Sequence, residues 1–255
     1  MFLLLALAVL QGLTEFLPVS SSGHLVLARE LFGDDGLPKG ATVEVALHLG
    51  TLAAVLVWYR AELFQLLVTE RRRLALVALA CVPLVPVGIW HTQIEATLFG
   101  SPAVAAAGLL VTGVLLLASA RLPAGGSELA GLAWKGALLI GCVQALAVIP
   151  GISRSGATIV AGMALGMRAE AATTFSFLIA VPAMAAAGLL TFLEVAADGA
   201  PRDFSGLVLA AALASAVGLV ALAILVKLAR ARRLSWFAPY CFAAGALGLL
   251  LLNLR

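Results

Sequence analysis

Charge is scarce in this chain. Asp, Glu, Lys and Arg make up only 11% of its 255 residues, against about 25% in a soluble domain. So little charge excludes a water-soluble globule of this size. The basic excess of +3 is too small for a nucleic-acid-binding face. Cysteine is scarce as well. Cys81, Cys142 and Cys241 are odd in number, far apart and set in apolar stretches, which excludes a disulfide framework and a cysteine zinc site. A basic leader is missing ahead of the first apolar run, and Glu15 and Pro18 stand where a signal peptidase needs small residues. The sequence therefore predicts that the first segment is not cleaved.

What is abundant is hydrocarbon. Hydrophobic residues make up 63% of the chain and the mean hydropathy is +1.11. The fold class that follows is an all-α polytopic membrane protein, with residues 1–255 as a single integral membrane domain. A crossing needs roughly 20 apolar residues. Six stretches supply them, at about 43–59, 74–91, 102–120, 173–193, 206–228 and 236–254. Two more apolar regions are interrupted. Residues 1–32 are broken by Pro18 and three serines, and residues 134–166 by Pro150-Gly151 and Ser153-Arg154-Ser155-Gly156. Proline removes a backbone donor and glycine frees the backbone, so each break splits a helix. Irregular backbone at membrane depth is tolerated only inside protein or along a wet cavity. Both regions therefore read as re-entrant helix hairpins beside six transmembrane helices.

Loop charge gives the orientation. With the first hairpin entering and leaving on the outer face, Arg60, Arg71, Arg72, Arg73, Arg121, Lys135, Arg168, Lys227, Arg230, Arg232 and Arg233 fall inside. Only Arg29, Lys39, Arg202 and Arg255 fall outside, as the positive-inside rule requires. The two halves also align. Gln11 to Gly23 aligns with Gln144 to Gly156 without gaps, and the prolines miss by one position. Repeat 1 covers about 1–120 and repeat 2 about 134–255. Each is a hairpin followed by three spans, an odd number, so the second half is upside down. Such inverted-topology repeats place broken-helix sites near the membrane middle.

The residues at the breaks carry the chemistry. Gln11 and Glu15 are one helical turn apart and share a face. A carboxylate there suits a hard cation, Mg²⁺ or Ca²⁺, or acid–base work. It equally suits hydrogen bonds to the serines at the next helix start. Ser20, Ser21 and Ser22 stand where an N-cap belongs. One cap needs one serine, so the other hydroxyls, with free N–H groups, also describe an anion site. Ser21 and His24 are spaced for a hydroxyl–imidazole pair, the arrangement a nucleophile needs. Arg154 at membrane depth requires an anion, either Glu15 of the other hairpin or a phosphate gripped by two prongs. His48, one turn from Glu44, reads as a satisfied interior histidine more readily than as a cavity residue. His91 beside Trp90 reads as an interface residue, Glu62 and Glu70 as solvated loop charges, and Ser176 as a cavity hydroxyl.

The segments Glu15-Phe-Leu-Pro-Val-Ser-Ser-Ser-Gly-His24 and Pro150-Gly-Ile-Ser-Arg-Ser-Gly-Ala-Thr158 resemble the two signatures of the bacterial undecaprenyl-diphosphatase family, also called the bacitracin-resistance protein family. The similarity covers essentially the whole chain. It implies hydrolysis of undecaprenyl diphosphate to the monophosphate and inorganic phosphate, which recycles the lipid carrier of peptidoglycan synthesis and requires a divalent cation. It implies a multi-pass protein of the bacterial plasma (inner) membrane, and the outward-opening first hairpin, oriented by the loop charges, favours an active site on the extracytoplasmic side. By motif, Glu15 belongs to a (Glu/Gln)-x-x-x-Glu acidic motif and to the metal site, Ser21 is the proposed nucleophile, His24 the catalytic histidine and Arg154 the phosphate clamp; His24 as the nucleophile, or a directly activated water, is equally compatible with the sequence. Ser153, Ser155 and Thr158 are implied to line the same pocket, with Gln11, Ser20 and Ser22 also at the substrate. Many members carry Glu where this chain has Gln11. The amide brings no charge, so Glu15 and the diphosphate's own oxygens are left to hold the cation. The expected partners are the polyprenyl diphosphate lipid and membrane lipids, with a homo-oligomer compatible and nucleic acid excluded. The competing class is a transporter or flippase carrying a phosphorylated polyprenyl lipid on the same anion site.

Overall fold

A computed structural model describes residues 1–32, 41–90, 101–198 and 204–254. Lys39, His91, Arg202 and Arg255 lie outside these residues, and with them the expectations placed on them. Among the described residues the chain is helical, with no strand. The helices are α1 (Phe2–Phe16), α2 (Ser21–Phe32), α3 (Ala41–Trp58), α4 (Arg60–Val68), α5 (Arg71–Cys81), α6 (Leu84–Ile89), α7 (Pro102–Ser119), α8 (Trp134–Leu146), α9 (Arg154–Ala164), α10 (Ala169–Asp198), α11 (Phe204–Arg230) and α12 (Ala238–Asn253). Four stretches are long and apolar enough to cross a membrane by themselves: α7, the first two-thirds of α10, α11, and α12 with the short 3₁₀ turn before it. Their outer faces expose Val114, Val220, Trp236 and Leu247, while Phe16, Phe175, Leu222 and Leu225 are buried. Apolar groups inside and out are what a lipid-embedded bundle requires. The chain is a polytopic membrane protein.

Two expected spans differ in detail. The stretch at 74–91 is two helices, α5 and α6, parted at Val82-Pro83. Pro83 and Pro86 bring no N–H to the helical ladder. The stretch at 43–59 bends by 74° after Trp58 and continues as α4. The residues around Glu62, read from sequence as a loop, are thus helical, with Phe64 and Leu67 exposed.

Both interrupted regions break at the expected residues. α1 has 15 residues, about 22 Å at 1.5 Å each. That is too short for a hydrocarbon core of about 30 Å, and α2, α8 and α9 are shorter still. Leu17 is extended, as a residue before proline prefers. Ser20 turns the chain with φ +68 before α2 begins. In the second break Gly151 has φ +88, and Ser153 caps α9 by accepting from the Gly156 N–H at 3.1 Å.

The two breaks lie against each other and against α7. A Cβ on Gly23 would stand 2.7 Å from Gly151 Cα, and one on Gly151 would stand 2.0 Å from the Ala105 carbonyl oxygen. Thr112 of α7 repairs the freed backbone. Its hydroxyl donates to Gly151 O at 2.7 Å and accepts from Ser153 N at 2.9 Å. Around this centre the helices pair across the halves: α1 on α11 and α8 on α5, α3 on α10, α7 on α12. At one end Arg168 reaches Glu128 at 2.6 Å and Arg230 reaches Glu170 at 2.5 Å. Arg72 donates there to the carbonyls of Ala130 and Leu132, and Arg232 to those of Leu122 and Pro123.

Gly151→Ala should therefore be a folding variant. Its Cβ meets backbone, which cannot step aside, and its φ is costly for alanine by about 1–3 kcal/mol before any clash is counted. Unfolding in mixed micelles should show a loss larger than that. A loss under 1 kcal/mol would mean that the breaks do not touch as described.

Candidate active site

Glu15 ends α1 and lies at the centre of the meeting point. Its Oε2 accepts from Gln11 Nε2 at 3.0 Å and from the Ser21 hydroxyl at 2.6 Å. Its Oε1 takes the Arg154 guanidinium at 2.5 Å. The carboxylate side chain is only 5% exposed and the arginine 29%. Each partner has a local reason for its position. Gln11 is one turn back on α1, Ser21 is the first residue of α2, and Arg154 is the first of α9. A broken helix returns its second half's N-terminus beside its first half's C-terminus. Two such breaks placed face to face gather a carboxylate, a hydroxyl and a guanidinium from three helix ends.

These groups border a cavity of about 380 Å³. Its polar part is formed by Glu15, Ser20, Ser21, Ser22, Ser153 and Arg154, joined by His48 and Gln144. Its other wall is apolar, with Leu84 and Val87 of α6 and Ala183, Met184 and Ala187 of α10. Charged head and hydrocarbon tail of an amphiphile could be received in one place. Among the described residues no group of three His, Cys, Asp or Glu is close enough to hold a metal. The hard oxygens include Glu15 and the Oε1 atoms of Gln11 and Gln144, buried acceptors with no partner among the described residues.

Several expectations are corrected. The Ser21–His24 pair does not form. His24 Nδ1 lies 2.7 Å from Ser20 O, to which it must donate, and Nε2 lies 2.6 Å from the Tyr240 hydroxyl. Both nitrogens are engaged, and His24 borders a second, apolar cavity with Leu27, Tyr240 and Leu247. Spacing of three residues put hydroxyl and ring on neighbouring positions, but the left-handed turn at Ser20 draws the ring back onto its carbonyl. Ser155 and Thr158 do not line the main cavity. Ser155 donates to Phe16 O at 3.2 Å, closing the end of α1. Thr158 meets Ser176 at 2.6 Å between α9 and α10, so Ser176 is not a cavity hydroxyl either.

Two residues were under-read. His48 borders the cavity. Its Nδ1 is 2.8 Å from Glu44 O and must donate to it, which leaves Nε2 as the basic nitrogen of the neutral ring. The Glu44–His48 spacing was visible, but nothing in the sequence faced α3 toward the breaks. Gln144 was visible only as the repeat partner of Gln11.

The Glu15–Arg154 pair gives a stability test. Removing one member of a buried pair strands the other. Arg154→Ala should cost about 3 kcal/mol, the low end for a buried pair because the arginine is partly solvated. Adding Glu15→Gln should recover most of that in a double-mutant cycle read by denaturant unfolding. Additive losses would mean the pair is not formed.

Residues 4–247 match the family described as Bacitracin resistance protein BacA. Among curated proteins, the chain is 42% identical over 251 residues to the undecaprenyl-diphosphatase of Rhodopirellula baltica, covering 98% of this chain and 96% of that protein. It is 39% identical to that of Desulfatibacillum aliphaticivorans, covering 94% of each. It is 36% identical to that of Corynebacterium glutamicum, covering 98% of this chain and 90% of the other. With a match running through both helix breaks and nearly every helix, the chain belongs to the bacitracin resistance protein BacA family.

Proposed function

We propose that this chain hydrolyses undecaprenyl diphosphate to undecaprenyl phosphate and inorganic phosphate, returning the lipid carrier to peptidoglycan synthesis. One observation carries the reading. The Ser21 hydroxyl donates at 2.6 Å to a carboxylate whose other oxygen is held by Arg154, at the polar part of an apolar-walled cavity. The relatives compared are all named for hydrolysis, and nothing in the structure favours the transporter reading.

The head enters with its tail along the α6 and α10 wall. Its phosphate oxygens compete with Glu15 for Arg154, which can grip them with two N–H groups. Ser21 Oγ attacks the terminal phosphorus and its proton passes to Glu15 Oε2, which already accepts its hydrogen bond. The bond from phosphorus to the bridging oxygen breaks, and undecaprenyl phosphate leaves with the electron pair, taking the proton from Glu15. Water then attacks the phosphoserine. Glu15 takes the water's proton and returns it to Ser21 Oγ as phosphate departs. Free N–H groups at the starts of α2 and α9 offset charge on the transferring group, where positioning and electrostatics do most of the work. In this reading His24 is a positioning residue that holds the Ser20 turn.

A divalent cation belongs to the proposal. The residues fit Mg²⁺ or Ca²⁺ only with help: Glu15 and Gln11 Oε1 supply hard oxygens, and the diphosphate must supply more, a common arrangement for Mg²⁺. When bound, the ion would neutralise charge on the transferring phosphoryl group. The inverted repeats, at about 1–120 and 134–255, are likewise proposed, supported by the reciprocal packing of α1 on α11 and α8 on α5. So are the inner membrane and an extracytoplasmic site, supported by the gathering of the basic loops at one end.

Phosphate release from undecaprenyl diphosphate in detergent tests the function. The purified protein should release phosphate with Mg²⁺ or Ca²⁺ and stop with chelator. Glu15→Gln should lower kcat by about 10²–10⁴, the range for general-base loss. Acid-quenched protein should carry phosphate on Ser21. Label on a histidine would sink the serine pathway, and no release by folded protein under either cation would sink the function.

A further inference from the structure

Gln144 is the one buried side chain whose amide oxygen and nitrogen both lack a partner among the described residues. It is 1% exposed, and it borders the cavity that holds Glu15, Ser21 and Arg154. The large majority of buried side-chain polar atoms are hydrogen-bonded, and one that is not calls for a group that completes it, be it water, an ion or a ligand. The sequence explains how it lost its own. At the offset that aligns the two breaks, Gln144 corresponds to Gln11 and Val148 to Glu15. Gln11 spends its Nε2 on the Glu15 carboxylate. Gln144 has a valine where that carboxylate would be, and Val148 borders the cavity beside it. The second half thus keeps the donor and has discarded its anion.

We infer that Gln144 binds the diphosphate head, its Nε2–H donating to a phosphoryl oxygen in the place the missing carboxylate would fill. This rests on the phosphatase reading for the identity of the anion. The chemistry is consistent at both ends of the amide. Nε2 donates to a non-bridging oxygen, and Oε1 accepts from a P–OH or from water carried on the head. Arg154 supplies charge from the same half, whereas Gln144 supplies a directed hydrogen bond with no charge. A carboxylate at Val148 would repel the substrate. With valine there, the amide is reserved for it.

The prediction separates this role from a structural one. A residue buried for structure makes the protein less stable when truncated. A polar residue held unpartnered for a ligand does the reverse. Gln144→Leu should melt at the same temperature as the wild-type protein or higher. It should lose most of the thermal stabilisation that methylenediphosphonate, a non-hydrolysable diphosphate, gives the wild type. Its KM for undecaprenyl diphosphate should rise about ten- to hundred-fold, the size of a hydrogen bond to a charged group, with kcat changed less. Gln144→Glu should lose binding as well, because it restores the anion. Gln144→Met provides a second neutral chain should leucine fold poorly. A lower melting temperature in both neutral variants, or an unchanged diphosphonate shift and KM, would overturn the inference while leaving the phosphatase intact. A Gln144-dependent diphosphonate shift in a protein that hydrolyses nothing would uphold the anion contact and fail the phosphatase instead.

Discussion

Everything at the centre of this protein depends on one constraint: backbone released from a helix at membrane depth must find its partners in protein. Two breaks create the need, and the molecule meets it by placing them together. Thr112 takes the Gly151 carbonyl and the Ser153 N–H. Ser155 closes the end of α1 at Phe16. Ser20 O is held by His24. The glycines at 23 and 151 let the backbones approach that closely. The released backbone is thereby paired within the protein, and the same centre can include a carboxylate and a guanidinium with 5% and 29% of their side chains exposed.

The two breaks lie against each other and are unlike in chemistry, and that difference makes a site. Aligned by their shared offset, Ser21 corresponds to Arg154 and Glu15 to Val148. One break brings a hydroxyl and the carboxylate that accepts its hydrogen bond. The other brings a fixed positive charge and an apolar flank. Were a carboxylate present in both, two negative charges would meet at the place proposed to receive the diphosphate. Like charges in a poorly solvated pocket repel strongly. An acid in one break and an apolar residue at the matching position of the other fit the demand of an anionic substrate.

How much of this could be read from the sequence depended on the range of the interaction. The breaks were legible because Pro18, Pro150 and Gly151 act on their own backbone. The Glu15–Arg154 pair was legible because two opposite charges buried in lipid have few alternatives. The apolar stretches were legible by length, although Pro83 and Pro86 split one of them and Trp58 ends another in a 74° bend. Side-chain direction within a turn was not legible. Ser21 and His24 are neighbours on a helix, yet one faces Glu15 and the other Tyr240. Ser155 and Thr158 lie in the second motif and point into protein contacts rather than the cavity. His48 was misread for the same reason: the face of α3 that looks toward the breaks is set by packing against α10 and α11, and no local pattern encodes it.

The division between His24 and Glu15 follows from the turn at Ser20. A serine at φ +68 is strained relative to glycine and must be held by its surroundings. The holding group is the His24 ring, fixed in turn by the Tyr240 hydroxyl, at 2.6 Å from the far nitrogen. That chain of contacts sets where α2 starts, and so where the Ser21 hydroxyl stands relative to Glu15. On the proposed mechanism, the histidine beside Ser21 in sequence therefore matters to the reaction without exchanging a proton with it. The carboxylate is the group already in hydrogen-bond reach of the hydroxyl, and the imidazole fixes the turn that keeps it there.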